Sequence, residues 1–86
     1  MATTQADRAR AFQALHQRDG VFVIANVWDA GSARIMAGLG FEALATSSGA
    51  SANTLGRLDG NVTLDEAVTQ IRSIAGATDL PLSGDL

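Results

Sequence analysis

The feature that most constrains the fold of this chain is a regular alternation of helical and strand-like segments with short connections. The order is helix, strand, helix, strand, loop, helix, strand. Strands separated by a helix pair in parallel through right-handed crossovers. The pattern therefore predicts an α/β fold with three parallel strands. It fits the start of a doubly wound sheet, or less than half of a (β/α)₈ barrel of roughly 250 residues.

Three helices are predicted from the spacing of apolar residues and from the residues that cap the helix ends. The first covers about residues 4–18. The second follows an N-cap at Asp29 or Ser32, and the third begins at Thr63. Glu66 lies three positions after Thr63, which is the spacing of a capping box.

Three short runs of apolar and β-branched residues are predicted to be strands: 21–25, 41–46 and 80–83. The first run is apolar at every position, which is typical of a parallel strand covered on both faces. Residues 47–54 are small or polar and predict a loop. The third strand delivers Asp85 at its C-terminal end, where α/β proteins hold ligands and metals.

Composition excludes several classes of protein. The chain has 86 residues, no cysteine and a net charge of −3, so a disulfide or cysteine-based metal site cannot support the fold. The six basic residues are scattered arginines, which argues against nucleic-acid binding. No apolar run approaches the length that spans a membrane. We expect a cytoplasmic location and no membrane or nucleic-acid partner.

Four segments resemble the isocitrate lyase / phosphoenolpyruvate mutase superfamily, in the right order and at compatible spacing. They are NVWDAGSAR at 26–34, GLGFEALATSSG at 38–49, LGRLDG at 55–60 and LPLSGDL at 80–86. The resemblance is nearest to the phosphonomutase-like or 2-methylisocitrate lyase-like branch. It implies that residues 1–86 are the incomplete N-terminal portion of a single (β/α)₈ barrel domain, with about three β/α units.

Enzymes of this superfamily bind Mg²⁺ and an α-oxocarboxylate and make or break a C–C or P–C bond beside the carbonyl. The resemblance places Asp85 at the first acidic position of the metal-binding strand end, with Mn²⁺ as an alternative ion. It matches Asp59 to an aspartate near the metal that orients water and substrate. From the residues alone, Asp85 also suits a turn or helix cap, and Asp59-Gly60 also suits a turn.

The resemblance assigns Ser48, Gly49 and Ala50 to binding the substrate carboxylate. Small residues let backbone N–H groups approach an anion closely, and the serine hydroxyl adds a donor. Read without the resemblance, such a segment also suits a flexible loop. Mutases of the superfamily carry a large aromatic residue at the position of Thr46, so this chain favours lyase-like chemistry over mutase chemistry.

Other polar and aromatic residues are interpreted as structural. Trp28 is predicted to pack in the core or at its rim, and His16 to lie at the surface near a helix end. Arg34 and Arg57 are predicted to be solvated or paired with a carboxylate. Asp29 is predicted to cap the following helix.

The resemblance places the remaining catalytic groups beyond residue 86, so this chain alone is expected to be inactive. The longer parent enzyme is expected to be a homotetramer. Lyase, hydrolase or decarboxylase, and mutase activities all remain open. Two alternatives from other classes also remain: a small standalone module that binds an anionic metabolite, and a non-catalytic truncated remnant.

Overall fold

The computed structural model describes residues 4–85 and contains seven elements. In chain order they are α1 (Gln5–Gln17), β1 (Ile24–Val27), α2 (Ala30–Gly38), β2 (Ala43–Thr46), α3 (Ser48–Thr54), α4 (Leu64–Ala77) and β3 (Leu82–Ser83). The strands form one parallel sheet in the order β1-β2-β3. The predicted α/β alternation and parallel pairing are confirmed.

The prediction for β1 was wrong in its bounds and in its burial. The strand begins at Ile24, three residues later than predicted, and Val21 is 93% exposed. Burial alternates along β1, because Ala25 and Val27 join the core while Ile24 and Asn26 face the opposite side and are exposed. A strand that is apolar in sequence is thus covered on one face only, since side chains alternate across a sheet.

The prediction of a loop over residues 47–54 was also wrong, because residues 48–54 form the short helix α3. The Ser47 side chain caps α3 by accepting a hydrogen bond from the Ala50 N–H at 3.3 Å. Ala52 is fully buried, so packing stabilises a segment that its glycine and serine content disfavours as a helix.

The predicted helix caps are confirmed. Thr63 and Glu66 form the capping box of α4. The two candidates for the cap of α2 act together: Asp29 is the N-cap, and its carboxylate accepts a hydrogen bond from the Ser32 N–H at 2.7 Å. In turn, the buried hydroxyl oxygen of Ser32 accepts a hydrogen bond from the Asp29 N–H at 3.1 Å.

The core lies where α2 and α4 pack against one face of the sheet. Its three largest fully buried side chains are Val27, Leu44 and Ile74, from β1, β2 and α4. Ala25 and Ala33 complete it, while Ala43, one position before Leu44 in β2, is buried on the opposite face of the sheet. Such small side chains let the helices approach the strands closely, but they leave few large apolar groups to stabilise the fold.

Acid is expected to destabilise this fold through its hydrogen-bonded carboxylates. Hydrogen bonds lower the pKa values of four groups, Asp7, Asp29, Glu42 and Glu66, from ordinary values of 3.8 for aspartate and 4.5 for glutamate. For Glu66 the main cause is the Thr63 N–H, followed by the Arg57 guanidinium. Since the unfolded chain then binds more protons, we expect the urea midpoint to fall progressively below about pH 5.

A matched pair of variants tests this pH dependence. Glu66→Gln should flatten the decline between about pH 5 and pH 3, because it removes one carboxylate with a lowered pKa. Gln13→Asn, which changes an exposed side chain of α1 that does not titrate, should leave the decline unchanged. Equal stability of the unmodified chain at pH 7 and pH 3 would contradict the prediction.

Candidate functional site

Polar residues gather where β2 and β3 end. Because parallel strands run in the same direction, their C-terminal ends meet at one edge of the sheet. Ser48 follows β2, and Asp85 lies two residues after β3. The Asp85 N–H donates a hydrogen bond to the buried Thr46 Oγ1 at 2.7 Å, which joins the two strand ends. Thr46 therefore has a structural role at this edge of the sheet.

A cavity of about 220 Å³ opens at this edge, and three of the predicted site residues line it. These are Ser48, Asp59 and Asp85, which come from α3, the α3–α4 connection and the end of β3. The other lining residues are Thr46, Ser51, Gly60, Val62, Ala67, Gln70 and Ile71. Folding thus brings together side chains that are widely separated in sequence.

Asp59 lies in a turn and also borders the cavity. It precedes Gly60, whose φ of +91° is the left-handed conformation that favours glycine in a turn. Its carboxylate also borders the cavity and lies against Gly49, where an added Cβ atom would be 3.7 Å from Asp59 Oδ2. A turn therefore holds this carboxylate in the cavity wall.

The three residues predicted to bind the substrate carboxylate occupy different environments. Ser48 lines the cavity, and Gly49 contacts Asp59 beside it. The Ala50 N–H is already used, because it donates to Ser47 Oγ. Ser48 is therefore the member of this set whose side chain is placed to meet a ligand.

The lining of the cavity is rich in oxygen and poor in positive charge. Asp59 and Asp85 contribute carboxylates, and hydroxyl and amide groups complete the polar wall, while no lysine, arginine or histidine lines it. Oxygen donors of this kind suit a hard divalent cation. Within residues 4–85, however, no three acidic, histidine or cysteine side chains come together as a metal site. An ion held here would need further oxygen ligands.

Sequence reasoning missed Gln70, which also lines the cavity. Its Nε2 group donates hydrogen bonds to Thr54 Oγ1 at 2.9 Å and to the Ser51 carbonyl oxygen at 3.3 Å. A glutamine in an amphipathic helix is usually solvated, so the sequence carries no signal for this contact.

The remaining candidates lie outside the cavity wall. His16 is exposed in the last turn of α1, in edge-to-face contact with Phe12 and Phe22. Arg57 pairs with Glu66, which confirms its predicted pairing with a carboxylate. Trp28 lies beyond the end of β1 and is 38% exposed, outside the core cluster, so its predicted packing in the core was wrong.

Comparison with solved structures identifies longer proteins that contain this fold. A protein from Burkholderia cenocepacia J2315, provisionally named a lyase/mutase, is 48% identical, with a TM-score of 0.91 over 95% of this chain and 30% of its own. A provisionally named phosphonomutase from the same organism is 38% identical, with a TM-score of 0.86 over 93% of this chain and 33% of its own.

A third structure, 2,3-dimethylmalate lyase, is named as a member of the PEP mutase/isocitrate lyase superfamily. It is 25% identical, with a TM-score of 0.75 over 98% of this chain and 30% of its own. The chain thus spans about a third of the length of these proteins.

Membership of a family rests on sequence as well as on fold. No curated protein matches the sequence. Within residues 4–85, no helix is long and apolar enough to cross a membrane. The family model for phosphoenolpyruvate phosphomutase matches residues 12–86, whose last residue lies outside the described structure. Since this match covers most of the sequence and agrees with the structural relatives, the chain belongs to the phosphoenolpyruvate phosphomutase family.

Proposed function

We propose that this chain forms the N-terminal part of a Mg²⁺-dependent enzyme that makes or breaks a C–C or P–C bond beside the carbonyl of an α-oxocarboxylate. One observation carries the proposal: Ser48, Asp59 and Asp85 line a single cavity at the C-terminal ends of β2 and β3. Membership of the phosphoenolpyruvate phosphomutase family supports the same reaction class.

Bond cleavage beside a carbonyl leaves negative charge on the carbonyl oxygen, and bound Mg²⁺ supplies Lewis-acid stabilisation of that charge. Asp85 would ligate the ion, since it is a carboxylate at a strand end in an oxygen-rich cavity. Mn²⁺ accepts the same kind of ligand. Asp59, which a turn holds in the wall, would orient metal-bound water and substrate.

The substrate carboxylate would lie beside α3, with the Ser48 hydroxyl as its hydrogen-bond donor. Gly49 and Ala50 would contribute by their small size, which leaves room for the ligand. We propose lyase rather than mutase chemistry because Thr46, buried at the end of β2, replaces the aromatic residue that mutases of the superfamily carry.

The parent enzyme would be a (β/α)₈ barrel, cytoplasmic and homotetrameric, in which this chain supplies the first three strands. The structural relatives are about three times as long as the region that matches them. The catalytic groups that complete the site would come from the additional length. We therefore expect the 86-residue chain alone to be inactive.

Activity of the whole polypeptide tests this function. The open reading frame that contains this sequence is expressed to its own stop codon and assayed with 2,3-dimethylmalate and related 2-hydroxydicarboxylates. Released α-oxocarboxylate is detected as its dinitrophenylhydrazone. We expect activity that EDTA abolishes and Mg²⁺ restores. Asp85→Asn should lower kcat/KM by at least roughly 100-fold, because losing a residue that only orients a metal ligand already costs about 10–100-fold.

Asp19→Asn is the control for loss of an aspartate, because Asp19 is exposed beyond α1 and does not line the cavity. It should leave kcat/KM unchanged. An active enzyme that is insensitive to EDTA or to Asp85→Asn would refute the proposed role of the metal and of Asp85.

A further inference from the structure

Gln70 joins α4 to α3 through a closed set of hydrogen bonds. Its Nε2 group donates to Thr54 Oγ1 at 2.9 Å and to the Ser51 carbonyl oxygen at 3.3 Å. Thr54 Oγ1 in turn donates to the same Ser51 carbonyl oxygen at 2.7 Å. The Gln70 side chain of α4 thus holds the C-terminal half of α3.

These partners determine the orientation of the Gln70 amide. The Ser51 carbonyl oxygen can only accept a hydrogen bond, so the NH₂ group must face α3 and Oε1 must point away. Oε1 is buried and has no hydrogen-bond partner within residues 4–85. An unpaired buried acceptor is destabilising, so an apolar side chain would suit global stability better at this position.

Little buried apolar surface holds α3 in place. This helix has seven residues, most of them small, and Ala52 is the fully buried one. Yet α3 supplies both Ser48 and Ser51 to the cavity wall. The position of these two hydroxyl groups therefore depends on how firmly α3 is held against α4.

We propose that Gln70 is a positioning residue that holds α3 against α4 and thereby fixes Ser48 in the cavity wall. The local anchoring follows from the hydrogen bonds alone. Its consequence for ligand binding rests on the proposed function, in which Ser48 donates to a substrate carboxylate.

Hydrogen exchange of the whole polypeptide, expressed to its own stop codon and followed by mass spectrometry, tests the anchoring. Gln70→Leu removes both donated hydrogen bonds and also the unpaired acceptor. Each hydrogen bond contributes a factor of about 2 to 12, so amide protection in α3 should fall roughly tenfold. The melting temperature should not fall, because the unpaired acceptor is lost as well.

Gln13→Leu is the matched control, because Gln13 is an exposed glutamine of α1. It should leave protection in α3 unchanged. Thr54→Val tests the partner: after Gln70→Leu it should cause less additional loss of protection than it causes alone. Unchanged protection in Gln70→Leu, or an unprotected α3 in the unmodified chain, would overturn the anchoring role.

Calorimetric titration with pyruvate and Mg²⁺ of the whole polypeptide, expressed to its own stop codon, tests the consequence for binding. We expect the pyruvate dissociation constant to rise at least threefold in Gln70→Leu and to stay unchanged in Gln13→Leu. Equal affinity in Gln70→Leu and the unmodified chain would overturn the positioning of Ser48. If the whole unmodified polypeptide shows no response to pyruvate, the proposed function fails, while hydrogen exchange still decides the anchoring.

Discussion

Replacing Ile74 with alanine should lower the free energy of unfolding by about 2–5 kcal/mol. Ile74 lies on α4, is 1% exposed and packs with Val27 and Leu44 in the centre of the core. The variant loses buried apolar surface and leaves a cavity that the rigid sheet cannot fill. Since a small domain is stable by only about 5–15 kcal/mol, this loss is large. Urea denaturation followed by circular dichroism measures it.

Ile35→Ala is the matched control for this change. Ile35 lies on α2 and is 62% exposed, so the same atoms are removed from a surface position. Its effect should be within about 0.5 kcal/mol of zero, helped by the higher helix propensity of alanine. If the two variants were equally stable, Ile74 would not lie in the core that we describe.

Replacing Arg8 with alanine should release α1 from the rest of the fold, because α1 has no buried residue of its own. The Arg8 side chain is 19% exposed, and its guanidinium donates hydrogen bonds to carbonyl oxygens at and beyond the C-terminal end of α4. The acceptors are Ala75 at 2.8 Å, Thr78 at 2.7 Å and Leu80 at 3.4 Å. A cation is favoured at a helix C-terminus, where carbonyl groups lack partners within the helix.

We expect Arg8→Ala to cost about 2–3 kcal/mol, because hydrogen bonds from a charged donor contribute about 1.5–3 kcal/mol and the three are not independent. Arg8→Lys should recover part of this, since a compact ammonium group cannot reach all three oxygens. Thermal unfolding gives the total effect. Hydrogen exchange should show the loss of protection concentrated in α1.

Arg10→Ala provides the control from the same helix. Arg10 is 72% exposed and pairs with Asp7 at the surface, so its loss should barely change the melting temperature. If Arg8→Ala and Arg10→Ala behaved alike, the contacts between Arg8 and the end of α4 would contribute nothing to docking of α1.

Local chemistry explains why several elements were predictable from the sequence. The side chains of Thr63 and Glu66 each accept a hydrogen bond from the other's N–H group, a local contact that makes the start of α4 visible in the sequence. Asp29 and Ser32 do the same for α2. The alternation of these helices with apolar strands also predicts parallel pairing.

The errors arise where packing overrides local preference. Residues 48–54 resemble a loop, and they form α3 because Ala52 is buried and Ser47 provides a cap. The exposure of Val21 and of one face of β1 could not be predicted, because burial depends on which face of the sheet the helices cover. Gln70 gave no signal at all, because its partners lie on another helix.

The sequence by itself determined the α/β alternation, the capped helices and the family. Each of these depends on short segments whose chemistry is local or on motifs that follow one another in a fixed order along the chain. Tertiary structure alone decided that Ser48, Asp59 and Asp85 line one cavity and that Gln70 donates hydrogen bonds to α3 beside them. Such arrangements depend on distances between residues far apart in sequence, which the packing of helices on the sheet establishes.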